Sequence, residues 1–337
     1  MYPEASEIKK HIDAATRIVI VQADNPDGDS LGSSLALEQI LGDLGKEPSM
    51  YCAVDMPTYL RYMSGWDRVE KELPHAFDLS IIVDASTMTL FERLQGTPDQ
   101  KRLAAKPCLV LDHHSVVEHP IPFATLTIND SGRASAGELI YILAQALEWP
   151  LSLAAQEFLM SSILGDTQGL SNDLASAETY RIMGAMVEAG VSRPHLEELR
   201  REYGKMPLEI YTYKATLIAH TEFSDKGRIA SVTVPQSEIN RFSPLYNPGP
   251  LIQGDMLQTR DVSVAIVFKR YDDGKITAAI RCNPGVGIAA ELAGHFNGGG
   301  HPYASGFKIT DGRDFSDLKQ ACLKKASELL AAAVDNS

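Results

Sequence analysis

Leu111-Asp112-His113-His114 ends the apolar run Pro107-Cys108-Leu109-Val110-Leu111, a buried strand that finishes in an acid and two imidazoles. Two other runs finish in the same way. Arg17-Ile18-Val19-Ile20-Val21 leads into Asn25-Pro26-Asp27-Gly28-Asp29, and Leu79-Ser80-Ile81-Ile82-Val83 stops at Asp84. A fourth acid, Asp166, lies in Ile163-Leu164-Gly165-Asp166-Thr167. The C-terminal ends of parallel strands converge on one crevice, where open α/β sheets bind ligands. Hard oxygen ligands with one or two imidazoles suit divalent cations, Mn²⁺ foremost.

Around these strands, β and α signals alternate. Apolar residues at helical spacing predict a helix from about 31 to 44, closed by Gly45. Further strands are expected near 48–53 and 123–128, and helices near 134–148, 152–165 and 176–189. The alternation predicts an α/β domain over residues 1–189, built on a mostly parallel, doubly wound sheet. Residues 190–206, with Gly190, Pro194 and a charged helix from Glu197 to Glu202, read as a linker.

Residues 207–333 have a different rhythm and predict a smaller α/β domain with a mixed sheet, facing the first across a cleft. A helix near 207–220 precedes β-rich runs at 228–234, 262–270 and 275–282, the last two joined by the hairpin signal Asp273-Gly274. A short helix near 287–296, a glycine-rich turn, a strand at 304–309 and a helix at 314–333 close the chain. Asn247-Pro248-Gly249-Pro250 reads as a loop.

With 337 residues, 44% hydrophobic and 22% charged, the chain suits two globular domains. No apolar run reaches the length of a membrane span, and the N-terminal residues lack a signal-peptide pattern. The four cysteines show no CxxC spacing; Cys52, Cys108 and Cys282 lie in strand-like runs and are expected as buried thiols. A cytoplasmic protein with no membrane contact is the expectation. The net charge of −13 is uneven: residues 1–204 hold 16 Lys+Arg against 30 Asp+Glu, a balance of −14, and the remainder is close to neutral. Such an acidic half argues against gripping long duplex DNA. It suits a metal-binding half facing a neutral half that supplies phosphate contacts, although solubility alone accounts for the acidity equally well.

Gly28 lets the backbone bend between Asp27 and Asp29, so that each can serve one of two cations about 4 Å apart, with Asp84 bridging. His113, Asp112 and Asp166 would complete the shells. Two such cations acidify a water for attack on phosphorus. In the second half, Gly298-Gly299-Gly300 followed by His301 is a candidate phosphate cradle, and Arg281 offers a bidentate guanidinium. Arg133, just before a helix that Ser135 caps, is a further candidate phosphate contact.

Asn25 to Ser33, Val83-Asp84, Asp112-His113-His114 and Gly165-Asp166-Thr167 resemble the four motifs of the DHH phosphoesterase superfamily. Asn297-Gly298-Gly299-Gly300-His301, running on to Gly306, is similar to the signature of the DHH-associated (DHHA1) substrate domain, and Ile280-Arg281-Cys282 to its arginine element. The order and coverage are nearest the nanoRNase/pAp-phosphatase branch, related to the RecJ-like members. The resemblance implies a two-domain phosphoesterase with two Mn²⁺, Mg²⁺ being an alternative, held by Asp27, Asp29, Asp84, His113 and Asp166. Asp84 would bridge, Asp112 would support, and His114 would contact the scissile phosphate. It implies hydrolysis of short single-stranded RNA or DNA oligonucleotides or of small nucleotides such as pAp. Cyclic or linear dinucleotides, and nucleotide binding with reduced catalysis, are the alternatives. The family's first motif commonly starts with a ligating His; Ala23 holds that place, and Asp24 or water is expected to substitute for it. Gln168 and Asn297 also depart from the pattern. Edge strands and the Met-rich helix near 181–189 leave a homodimer open.

Overall fold

Arg17–Val21, Leu79–Val83 and Cys108–Asp112 are buried along nearly their whole length, as central strands covered on both faces must be. The computed structural model describes residues 2–114, 117, 119–243 and 247–335. The chain divides into two units, Met1–Lys205 and Met206–Ser337.

The first unit opens with α1 (Ala5–Ala14), β1 (Arg17–Val21), α2 (Gly28–Asp43) and β2 (Glu47–Tyr51). Then come β3 (Val69–Glu70), β4 (Leu79–Val83), α3 (Pro98–Ala104), β5 (Cys108–Asp112) and β6 (Leu126–Asn129). Four helices end it: α4 (Ala136–Ala146), α5 (Leu153–Asp166), α6 (Ala177–Glu188) and α7 (Arg193–Tyr203). The sheet order is β3-β2-β1-β4-β5-β6, with every pair parallel. The direction of winding reverses between β1 and β4, which makes their C-terminal ends the place where a crevice opens. Alternate residues of each strand serve the two faces: Ile18, Ile20, Ile81, Val83, Leu109 and Leu111 join the helical core, while Val19, Val21, Ile82 and Val110 join the opposite one. Residues 190–206, expected to be a linker, hold α7, which packs on α5 and on the 3₁₀ turn Thr58–Leu60 and buries Leu196.

Helices α2 and α5 approach very closely because glycines line their contact. A methyl at Gly32 would lie 2.8 Å from the Phe158 carbonyl oxygen and 3.0 Å from the Ser162 nitrogen, both immobile backbone atoms. Gly32→Ala is therefore expected to destabilise by about 2 kcal/mol through overpacking. Gly42→Ala, in the same helix with nothing within 4 Å, should stabilise by about 0.5–1 kcal/mol. Urea unfolding of the two variants checks the opposite signs; equal effects would mean that helix propensity alone governs both positions.

The second unit runs α8 (Leu208–Ala219), β7 (Glu222–Ser224), β8 (Ile229–Pro235), α9 (Gln236–Phe242) and α10 (Pro248–Gln258). It continues with β9 (Val264–Arg270), β10 (Ile276–Cys282), α11 (Ala289–Gly294), β11 (Gly299–His301), β12 (Ala304–Ile309) and α12 (Phe315–Asp335). The sheet order is β11-β12-β10-β9-β8-β7, parallel between β8 and β9 and antiparallel elsewhere, so the sheet is mixed. Asp273-Gly274 does turn the β9–β10 hairpin, with Gly274 at φ 83°. Asn247-Pro248-Gly249-Pro250 is not a loop: Asn247 caps α10 by accepting the Gly249 N–H, and Pro248 takes the first helical position, where no N–H is needed. The glycine-rich segment is likewise an edge strand, β11, rather than a free turn. Among the described residues no helix is long and apolar enough to cross a membrane, and all four cysteines are free and buried.

Candidate metal centre

Asp27 starts α2 as its N-cap. Its Oδ1 accepts the N–H groups of Asp29 and Ser30, and Ser30 returns the bond to the Asp27 N–H, a reciprocal capping box. That cap sets the entry of the helix and turns Asp29, one residue into it, toward the N-terminus of α4. There Asp29 is fully buried and meets four donors. Oδ1 accepts from Ser33 Oγ at 2.8 Å, Ser162 Oγ at 2.5 Å and Gly137 N at 3.2 Å; Oδ2 accepts from Ala136 N at 2.7 Å. The first amides of α4 lie at the positive end of its dipole, a natural seat for a carboxylate.

His113 stands at the middle of the acids. Its Nε2 is 3.0 Å from Asp166 Oδ2, 3.3 Å from Asp29 Oδ2 and 3.5 Å from Asp84 Oδ1. Its Nδ1 lies 3.2 Å from the Arg133 carbonyl oxygen, which fixes the proton on Nδ1 and turns Nε2 inward. The neighbouring His114 is 45% exposed at its side chain, with Nδ1 held at 2.8 Å by Asp112 Oδ1 and 3.7 Å from Asp84 Oδ1. Asp112 Oδ1 also receives the N–H groups of His113 and His114, so one buried oxygen orients the whole Asp-His-His run. Asp84 adopts a left-handed φ of 57°, uncommon for a residue with a side chain and concentrated at functional sites.

These groups perturb one another. Burial, reinforced by the charge of Asp29, pushes the Asp84 carboxyl well above its ordinary range. Burial first, and then Asp29 and Asp27, push Asp166 up to about 6 against the pull of His113. Burial and Asp29 also raise Asp27. Burial opposes the charge on His113, but the close carboxylates of Asp166, Asp84 and Asp29 prevail and push the imidazole up to about 11. For Asp112, burial is outweighed by the bonds from His114 and Ser86, and its carboxyl is held low. The bond to Asp112 raises His114.

The donor set fits a divalent cation. Asp84 Oδ1 and His113 Nε2 are buried, and neither has a partner in hydrogen-bond geometry. Two groups of ligand atoms, Asp29/His113/Asp166 and Asp84/His113/His114, each lie within 4.8 Å of one another. Excess buried carboxylate with an oriented imidazole is stable only with added positive charge, from a proton or a metal ion. A cation bound through His113 Nε2 would displace the proton there. Mn²⁺ affinity is therefore expected to rise about tenfold per pH unit between roughly pH 6 and 8, with at least one proton released. Calorimetry in two buffers of different ionisation heat measures that release; a pH-independent Kd would show that the imidazole is not displaced.

Other expected residues fall differently. Asp27 belongs to neither group of close ligand atoms, although its charge reaches Asp84 and Asp166. Asp24, expected with water to substitute for an imidazole at the Ala23 position, belongs to neither group of close ligand atoms, and its Oδ2 accepts the Arg93 N–H at 2.7 Å. The Arg133 guanidinium is engaged by Asp130 at 2.8 Å, Glu178 at 2.7 Å and Glu138 at 3.6 Å, so it is its carbonyl that serves the centre. In the second unit, Arg281 and Gly298 line a cavity of about 540 Å³ with Lys269, Lys308 and Asn297. Thr277 pairs in register with both Lys269 and Lys308, which puts the two lysines in one cross-strand row. Side chains at Gly298 or Gly300 would strike β12, at 2.2 Å from the Gly306 oxygen and 2.6 Å from the Ala304 oxygen. Close strand packing therefore accounts for those two glycines. Gly299 has open space beside it; the His301 backbone ends β11, and its side chain lies outside the described residues.

Ser33, Ser162 and the Arg133 carbonyl are functional groups that sequence reasoning missed. Ser33 was within reach, being four residues along a helix from Asp29. Ser162 lies 133 residues from Asp29 and carries no local signal.

The profile of the DHH family N-terminal domain matches residues 17–165, and that of the DHHA1 domain matches residues 250–332. The chain is 23% identical to the bifunctional oligoribonuclease and PAP phosphatase NrnA of Bacillus subtilis, over 94% of this chain and 98% of the relative. It is 26% identical to the probable enzyme of the same name from Streptococcus mutans, over 91% and 96%. Among solved structures, an exopolyphosphatase-related protein from Bacteroides fragilis superposes with a TM-score of 0.84 at 21% identity, covering 97% of each chain. RecJ of Thermus thermophilus in complex with Mn²⁺ superposes at 0.52 and 16% identity, over 98% of this chain and 54% of RecJ. These structural likenesses establish the shared fold.

Proposed function

Because the chain belongs to the DHH family and carries a DHHA1 domain after its DHH domain, we propose that it is a Mn²⁺-dependent, two-metal phosphoesterase. Its substrates are short oligoribonucleotides and the bisphosphate pAp, the substrates named for its NrnA relatives. One observation carries the metal assignment: the buried His113 Nε2 faces three carboxylate oxygens within 3.5 Å, without hydrogen-bond geometry to any atom.

Asp29, Asp84, His113 and Asp166 would hold the cations. Asp27 would join them through Oδ2, because its Oδ1 caps α2. When bound, the cations supply Lewis acidity that makes water a nucleophile near neutral pH and neutralise charge on the phosphoryl oxygens. The chain's own part is orientation. Arg133 keeps the His113 proton on Nδ1, and the α4 amides with Ser33 and Ser162 hold Asp29 in place. Asp112 occupies His114 Nδ1 and favours the protonated ring, which leaves Nε2–H of a half-exposed imidazole to donate to a phosphate oxygen. Arg281, Gly298, Gly299, Gly300 and His301 are the proposed nucleotide contacts of the second unit.

Hydrolysis of a 5′-labelled diribonucleotide and of pAp, with Mn²⁺, Mg²⁺ or chelator, tests this reading. Release of mononucleotide that needs Mn²⁺ supports it. Turnover of cyclic dinucleotides alone would transfer the assignment to a cyclic-dinucleotide phosphodiesterase. Bound metal with no turnover of any of these would leave a nucleotide-binding protein.

A further inference from the structure

The first unit contains a second concave site, lined by residues outside the two groups of close ligand atoms. A cavity of about 560 Å³ is lined by Tyr62, Gly165, Gln168, Arg193, Glu197 and Arg200, among others, all within residues 1–205. That volume is in the range that holds a nucleotide. The cavity adjoins the metal centre through α5 and the turn that follows it. Gly165 and Gln168 flank Asp166 in sequence, and the Gly165 backbone lies against Gly28, between Asp27 and Asp29.

Its charge runs against the half of the chain that holds it. Residues 1–204 are strongly acidic, yet three arginines meet one glutamate at this wall. Glu197 holds both Arg200 and Arg201 at 2.9 Å. Arg193 differs: among the described residues its guanidinium has no ion-pair or hydrogen-bond partner, and its Nη2 lies over the backbone of Gly169. A half-buried, unpaired guanidinium facing a cavity is a ready phosphate ligand. Gln168 and Leu170 on the same turn have left-handed φ values of 50° and 71°, and Gly169 between them has 75°, a concentration of unusual backbone beside the cavity. Tyr62, whose ring is of the kind that stacks on a base, and Gln168, with an amide, also line the cavity.

We propose that this cavity is a second nucleotide subsite on the catalytic unit, where Arg193 binds a phosphate other than the one being cleaved. This rests on the phosphoesterase reading above and deepens it by assigning a place, apart from the metal centre, to the phosphate that is not cleaved. The experiment compares kcat/KM for a 5′-phosphorylated triribonucleotide with that for an unphosphorylated dinucleoside monophosphate. Wild type, Arg193→Ala, Arg193→Lys and Glu197→Gln are assayed, and binding of the same trinucleotide is measured in chelator. Arg193→Ala is expected to lower the ratio of the two kcat/KM values about tenfold and to weaken metal-free binding equally, as loss of one charge-assisted contact does. Arg193→Lys should recover part of both. Glu197→Gln, which frees Arg200 and Arg201, should tighten binding. An unchanged ratio with unchanged binding in Arg193→Ala would overturn the subsite. If wild type hydrolyses neither compound, the oligoribonuclease reading fails instead, and the binding measurement still decides the fate of the subsite.

Discussion

Asp84→Asn is expected to lower kcat on a diribonucleotide by at least about 10³-fold, while the fold survives. Asp84 belongs to the Asp84/His113/His114 group and faces the His113 ring nitrogen shared with the Asp29/His113/Asp166 group, so its loss disturbs both proposed cation sites. Asn is the informative replacement. It keeps the shape and tolerates the left-handed φ of 57°, whereas Ala would add about 1 kcal/mol of backbone strain. Metal-free stability should move the other way. Burial and the Asp29 charge raise the folded-state carboxyl of Asp84, so its stabilising contribution is complete below the ordinary carboxylate value of about 4 and is lost as pH rises through the raised value. Metal-free wild type should therefore melt lower at pH 8 than at pH 5, and Asp84→Asn should flatten that slope and abolish the Tm rise on adding Mn²⁺. Activity within tenfold of wild type would end the two-metal proposal.

Asp29→Asn should damage stability as well as catalysis. Four donors converge on the carboxylate, two hydroxyls and the first two amides of α4. An amide puts its NH2 either at the Oδ2 position, against the Ala136 N–H, or at the Oδ1 position, against the other three donors, and in both cases leaves buried donors facing one another. At about 1–3 kcal/mol per unsatisfied group, a loss near 3 kcal/mol is expected, with a fall in Tm of roughly 6–12 °C. Ser162→Ala removes one donor and should cost about 1 kcal/mol. Thermal melts of the metal-free proteins check the order. Equal melting of Asp29→Asn and wild type would mean that the helix terminus does not depend on this carboxylate.

Much of the first unit was legible because its strands are short apolar runs that each stop at a polar residue, and burial forces that pattern. Arg17–Val21, Leu79–Val83 and Cys108–Asp112 form the centre of the parallel sheet, and the acids at or after their ends lie at the crevice. Asp273-Gly274 turns a hairpin because its signal is local. Reading failed where one dipeptide serves two structures. Asn247-Pro248 marks a loop or a helix start with equal right, and the α10 helix built on it decided the matter. The glycines at 298 and 300, read as a cradle, also meet a strand that leaves no room for a side chain, a constraint with no local signal.

The identity and order of the acids and imidazoles were determined by the sequence alone, since side-chain period and strand ends are properties of the local backbone. Which partner each one takes was decided by tertiary packing. Asp24 turned to the Arg93 amide, Arg133 gave its guanidinium to three carboxylates and its carbonyl to His113, and Asp29 found Ser162 across a helix contact that only glycine permits. A buried polar group bonds to whatever donor the fold brings within 3 Å, and that distance is set by how helices and sheet pack, not by neighbours in the chain.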